Sequence, residues 1–175
     1  MPETTLGKLK RSAHLFYIDA SFGGSTPEWY LVGKDVQDMS IELNPETETI
    51  KNILDETNVN DNGYEPSVSI DTFYAEPKAG TIYTKIKDIM MNRKTGDDCK
   101  TKCLEVLVDK TSAPYDAWVE DCMVKPQSYG GGQGGVSIPT NVAFCGNREQ
   151  GTASFGNSFR DVTYTAPASN TGSGE

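Results

Sequence analysis

The chain has 175 residues, with 16 Lys and Arg against 25 Asp and Glu, a formal net charge of −9 and a sequence pI near 4.6. That length suits one domain, and the acidic balance argues against a grip on nucleic acid, which needs clustered cations to hold phosphates. Leu, Ile, Val and Phe supply only 34 of the 175 residues, near the composition of disordered chains, so the expectation is a domain with a thin core that draws further stability from neighbouring subunits.

Residues 1–8 (MPETTLGK) are small and polar and read as an N-terminal arm. The stretch 9–20, with Leu15, Phe16, Tyr17 and Ile18, reads as a strand that ends at the turn-rich 21–27 (SFGGSTP). A short strand, 29–32, and a tight turn at Gly33-Lys34-Asp35 follow. From 36 to 43, Val36, Met39, Ile41 and Leu43 approach alternation with Asp38, Ser40 and Glu42, which predicts a half-buried strand ending at Asn44-Pro45. The Thr-rich 46–54 predicts a second strand, paired with the first as a hairpin. Residues 55–66 (DETNVNDNGYEP) read as a polar loop with an Asn-Gly step, and 67–74 as a strand.

Ile82, Ile86, Ile89 and Met90 recur at helical spacing, so 81–91 predicts a short amphipathic helix. After a polar loop at 92–100 come strands at 103–108 and 117–124, separated by the turn-rich 109–116. Residues 129–135 (YGGGQGG) form a glycine-rich turn, 136–144 a strand, and 152–164 holds a last one. The tail, 166–175 (APASNTGSGE), has the composition of a disordered segment. The domain is therefore expected to span 9–165, flanked by an arm and a tail.

Candidate chemistry is sparse. His14 is the one histidine, and no nearby pattern supplies an orienting carboxylate or a nucleophile. The four cysteines, Cys99, Cys103, Cys122 and Cys145, have no zinc-pair spacing and too low a density for a disulfide framework, so free thiols are expected, with Cys103 and Cys122 in the core. Gly130–Gly135 lacks the Lys-Ser/Thr of a phosphate loop, and 55–61 lacks the ligand spacing of a calcium loop. No cofactor, metal or enzymatic activity is expected. No apolar run approaches the roughly 20 residues needed to span a bilayer, and the polar start has no signal-peptide core, so synthesis in the cytoplasm without membrane insertion is the expectation.

Charge placement is more informative. Residues 34–65 carry nine acids and two bases, Lys34 and Lys51, a net −7, which leaves −2 for the other 143 residues. Such crowding costs stability on a hairpin face, and it reads either as a solvated hairpin face or as a surface that repels a polyanion.

The order Trp29-Tyr30-Leu31-Val32-Gly33-Lys34-Asp35, the acidic hairpin through Asn44-Pro45-Glu46-Thr47-Glu48-Thr49-Ile50-Lys51-Asn52-Ile53-Leu54-Asp55-Glu56, and then Gly63-Tyr64-Glu65-Pro66-Ser67 leading into a strand and a helix, resembles the major tail (tail tube) proteins of tailed bacteriophages and related prophages. The likeness spans roughly 9–125. It implies a mainly β, sandwich- or barrel-like tail tube fold with one short flanking helix and a long hairpin. It further implies stacked, hexameric rings whose hairpins join into one inner barrel that conducts DNA without binding it specifically. By the same resemblance, Asp38, Glu42, Glu46 and Glu48 would line the lumen, while Asp55, Glu56, Asn58, Asn60, Asp61 and Tyr64 would form a loop reaching the adjacent ring. The implied partners are further copies of the chain, a tail-tip or baseplate initiator, and tape measure and tail terminator proteins. The implied location is the virion tail, assembled in the host bacterial cytoplasm. A small β-sandwich binding or decoration module of a virion or cell surface is the alternative that the strand content and polar loops allow.

Overall fold

A computed structural model describes residues 8–71, 73–77 and 81–168, with the side chain of Thr81 left out. The expected arm (1–8) and tail (166–175) lie outside the described residues apart from Lys8 and 166–168. The architecture is mainly β, an antiparallel eight-stranded sheet curled into a half-barrel with one helix and a separate two-stranded hairpin.

The strands are β1 (His14–Asp19), β2 (Trp29–Val32), β3 (Ile41–Glu42), β4 (Pro45–Lys51), β5 (Thr57–Tyr64), β6 (Ser67–Ile70), β7 (Lys100–Leu107), β8 (Tyr115–Pro126), β9 (Thr140–Phe155) and β10 (Val162–Thr165). The main sheet runs β2-β1-β7-β8-β9-β6-β3. The long strand β9 forks it, because residues 140–143 pair with β6 whereas residues 152–155 pair with β10. Gly151 sits at this fork, where a β-carbon would lie 2.4 Å from the Thr165 carbonyl oxygen, so no larger residue lets β10 approach.

Both faces of the sheet are buried, and strand alternation divides a small apolar set between them. On one face Phe16, Ile18, Cys103, Cys122, Val124 and Val142 meet Val68, Ile70 and the helix. On the other, Leu15, Tyr17, Leu104, Val106, Tyr115, Ala117 and Ala153 form a second cluster. Tyr17 is completely buried there, and its hydroxyl donates to the Phe159 carbonyl at 2.7 Å, tying the loop before β10 over the cluster. Burial pushes the Tyr17 phenol well above its ordinary value. All four thiols are free, and Cys103 and Cys122 are core residues, as expected.

The helix α1 (Thr81–Asn92) matches the expected segment to within a residue; it seats Ile82 and Ile86 in the first cluster, and Ile89 is buried as well. Arg93 takes a left-handed conformation after it, and the Lys94 N–H bonds back to the Ile89 carbonyl at 3.0 Å, which closes the C-terminus. Strands β2, β7 and β8 also fall where the sequence places them. The hairpin does not. The expected strand 36–43 shrinks to Ile41–Glu42, which pairs with Val68 and Ser67 in the main sheet, and the expected loop 55–66 contains β5. Asn44 explains the switch: its left-handed backbone turns the chain out of the sheet before β4 begins.

Ile86→Ala should cost about 2–5 kcal/mol, because it empties a fully packed site. Ile53→Ala, on the exposed hairpin tip, should stay within about 0.5 kcal/mol of the parent. Urea unfolding of the two variants side by side measures the contrast.

Candidate assembly surface

The hairpin β4–β5 is exposed along nearly its whole length and pairs only with itself. An isolated two-stranded ribbon is marginal in water, so its ends must be held. At the root, the Asn44 side-chain amide donates to the Glu65 carbonyl at 3.0 Å, and the Glu65 N–H returns to the Asn44 carbonyl at 3.3 Å. At the tip, Asn52 Oδ1 accepts from the N–H groups of Leu54 (2.9 Å) and Glu56 (3.0 Å), while its Nδ2 donates to the Glu56 carboxylate at 2.7 Å. Backbone bonds from Asn52 N–H to the Glu56 carbonyl and from Asp55 N–H to the Asn52 carbonyl complete a closed turn. That turn presents Ile53, fully exposed, and Leu54, 72% exposed.

Register assigns the faces. Pairs Glu48↔Asn60 and Ile50↔Asn58 share one face with Glu46, and pairs Thr47↔Asp61, Thr49↔Val59 and Lys51↔Thr57 share the other. A bulge interrupts the ladder after Glu46, where Asp61 Oδ1 accepts from the Gly63 N–H at 2.9 Å. Among the described residues, the outer edges of β4 and β5 are both unpaired.

The sequence-expected residues therefore divide. Glu46 and Glu48 lie together on one hairpin face, whereas Asp38 and Glu42 are not on the hairpin: Asp38 is in the exposed coil before β3, and Glu42 is on β3 opposite Ser67. Asp55 and Glu56 belong to the tip, but Asn58, Asn60, Asp61 and Tyr64 are strand residues of β5 rather than parts of a loop. The Asn- and Gly-rich composition of 57–64 reads as turn chemistry, yet cross-strand pairing overrides it, and the Asn62-Gly63 step serves a bulge. Sequence reading missed the two clamping asparagines and the exposed Ile53-Leu54 pair. An aliphatic pair set between Asn52 and Asp55-Glu56 was the available signal.

Elsewhere, polar side chains cluster on the sheet. Asp19 is buried, and its Oδ1 accepts from the N–H groups of Ser21 and Glu28, both at 2.9 Å, closing the 20–28 loop. His14 Nε2 lies 3.4 Å from Glu105, whose other oxygen accepts from Arg148 at 2.9 Å; Arg148 also reaches Glu120 at 2.8 Å and stacks over Trp118. Burial pushes the Glu105 carboxyl up, but the His14 and Arg148 hydrogen bonds and the Arg148 charge outweigh it, and the group sits below its ordinary value of 4.5. Among the described residues, no group of three His, Cys, Asp or Glu side chains is arranged to hold a metal ion, and no helix is long and apolar enough to cross a membrane.

No family model matches the chain, and no curated protein matches it. Among solved structures, it is similar to the sheath/tube terminator of an extracellular contractile injection system, PVC, in its extended state, at 7% identity over 82% of this chain and 96% of that one, with a TM-score of 0.45.

A carboxyl held below its unfolded value contributes stability above that value and loses the contribution as pH falls through the folded one. Glu105→Gln should accordingly lower stability at neutral pH and flatten its decline below about pH 4.5. Thermal unfolding followed from about pH 3 to pH 7 checks both limbs.

Proposed function

We propose that the chain is a structural subunit of a phage-type tail tube, acting by self-assembly and without catalysis. The observation that carries this reading is the hairpin β4–β5, hydrogen-bonded at both ends by Asn44 and Asn52, exposed along nearly its whole length, and unpaired along both outer edges among the described residues. A long open edge is an aggregation hazard in a monomer unless another strand satisfies it. Pairing β5 of one copy with β4 of the next satisfies both edges at once, and repetition around an axis closes them into a barrel with no edge left. Stacked, hexameric rings built this way would form a continuous conduit. Five exposed apolar side chains on the hairpin and its root, Leu43, Ile53, Leu54, Val59 and Tyr64, support a surface that is covered in the assembly.

The charge pattern gives the conduit its property. With the Glu46 and Glu48 face inward, each subunit adds carboxylates to the wall, and Asn58 and Asn60 between them add polarity without cations. DNA phosphates meet repulsion along such a wall, so a genome slides through without adhering. Lys51 lies on the opposite face, where it does not shield them. In this reading the subunit resides in the virion tail, is assembled in the host bacterial cytoplasm, and works beside a tail-tip initiator, a tape measure protein and a tail terminator.

Negative-stain electron microscopy of the purified protein at rising concentration should show hollow rings or tubes, alone or once a tail-tip complex is added. Particles that stay monomeric in both conditions and bind a glycan or cell surface would instead identify a binding or decoration module. Glu46→Lys with Glu48→Lys should leave assembly intact and make the tubes retain DNA at low salt, with retention lost as salt rises. A gel-shift titration against parent tubes reads that difference.

A further inference from the structure

Among the described residues, the exposed large apolar side chains outside the hairpin and its root are Leu9, Met91 on α1, Tyr129 and Val136 at the glycine-rich turn, and Tyr74. Antiparallel bridges Tyr74↔Ser137 and Gly130↔Ser137 hold this turn against the body. Its tightness requires glycine, since a β-carbon on Gly131 would lie 2.6 Å from the Gly135 carbonyl oxygen. Between the turn and the helix end lies a cleft of about 540 Å³, floored by Ile89, Met90 and Tyr129 and flanked by Arg93, Lys94 and Lys125, with no carboxylate in its lining. Lys94 is paired with Asp88 at 2.6 Å, so Arg93 and Lys125 supply the net positive charge. The Lys125 ammonium is held over the helix end by the Lys94 carbonyl at 3.2 Å.

We propose that this cleft receives the hairpin tip of a second copy of the chain: Ile53 and Leu54 enter against Ile89, Met90 and Tyr129, and Asp55 and Glu56 face Arg93 and Lys125. Three properties match. The tip is an apolar pair with an acidic flank, and the cleft is an apolar floor with a basic flank. The tip is convex and the cleft concave. The tip is also ordered in advance by the Asn52 hydrogen bonds, so docking loses little conformational entropy. Another basic cleft, of about 370 Å³ beside His14 and Arg160, is smaller, and Lys34 there is paired with Glu76. Donor and acceptor lie on different surfaces of one subunit, so the contact is head-to-tail and propagates from copy to copy. The inference rests on the self-assembly reading above and adds the receiving site, which that reading does not name.

The test places a photo-crosslinking residue at the tip, Ile53→p-benzoylphenylalanine, in the full-length chain, mixed with isotope-labelled parent protein so that crosslinks between copies are distinguished from those within one. Mass spectrometry should map the crosslinks to residues 89–95 and 125–129 of the other copy. Arg93→Glu with Lys125→Glu in the receiving copy should cut the yield about tenfold, and Asp55→Lys with Glu56→Lys in the donating copy should restore it. That rescue also shows that the charge-reversed chains are folded. Hollow rings or tubes whose crosslinks map to the His14 cleft, to another hairpin or elsewhere overturn the inference and leave the tube reading standing. Crosslinks in the α1 cleft from open chains that never close into a hollow particle uphold the inference and overturn the ring. Dispersed monomers without crosslinks between copies, both alone and with a tail-tip complex added, overturn both.

Discussion

Everything in this molecule depends on one sheet being buried on both faces by a small stock of apolar side chains. The ladder β7-β8-β9 is the spine that makes this possible, because strict alternation sends Cys103, Cys122 and Val124 to one face and Leu104, Val106, Tyr115 and Ala117 to the other. Neither face is covered by a second full sheet. The helix α1 with β6 covers one, and the loop anchored by the Tyr17–Phe159 hydrogen bond closes over the other. A composition that borders on disorder suffices because few residues are asked to serve each layer.

The hairpin β4–β5 stands outside that economy. Its residues contribute almost nothing to the core, and its shape is held by two asparagines and a ladder rather than by packing. Stability and assembly are thus assigned to different parts of one chain. A surface whose side chains are not needed for folding is free to carry charge, exposed edges and an apolar tip, all of which an isolated monomer would avoid.

Electrostatics follows the same division. In the sheet, carboxylates are matched: Glu105 and Glu120 share Arg148, and His14 adds to Glu105. On the hairpin face, Glu46 and Glu48 have only Asn58, Asn60 and Ile50 beside them. Cations without a carboxylate in their lining occur at the end of α1, so unbalanced charges of opposite sign lie on different surfaces of one subunit. Such an arrangement directs one copy toward another in a fixed orientation, since like surfaces repel and unlike surfaces attract.

Much of the core was legible in the sequence, for a local reason. Helical spacing of Ile82, Ile86 and Ile89 and the apolar runs of β1, β7 and β8 record burial patterns that neighbouring residues in the chain decide among themselves. The localised acidity was legible too, since charge is a property of composition. The hairpin partner was not. Residues 57–64 are rich in Asn, Asp and Gly and carry no hydrophobic period, because neither face of β5 is buried, and period is the trace that burial leaves. Asn44 turning out of the sheet, Asn52 closing the tip, and the meeting of α1's end with the glycine-rich turn depend on residues far apart in the chain coming together. By itself the sequence determined the helix, the segments of β1, β2, β7 and β8, and where negative charge accumulates, whereas the expected strands 136–144 and 152–164 are one long β9 over 140–155 followed by a short β10. Only tertiary structure decided which strand β4 pairs with, which acids share its face, and where the compensating cations lie, because pairing without burial leaves no periodic mark to read.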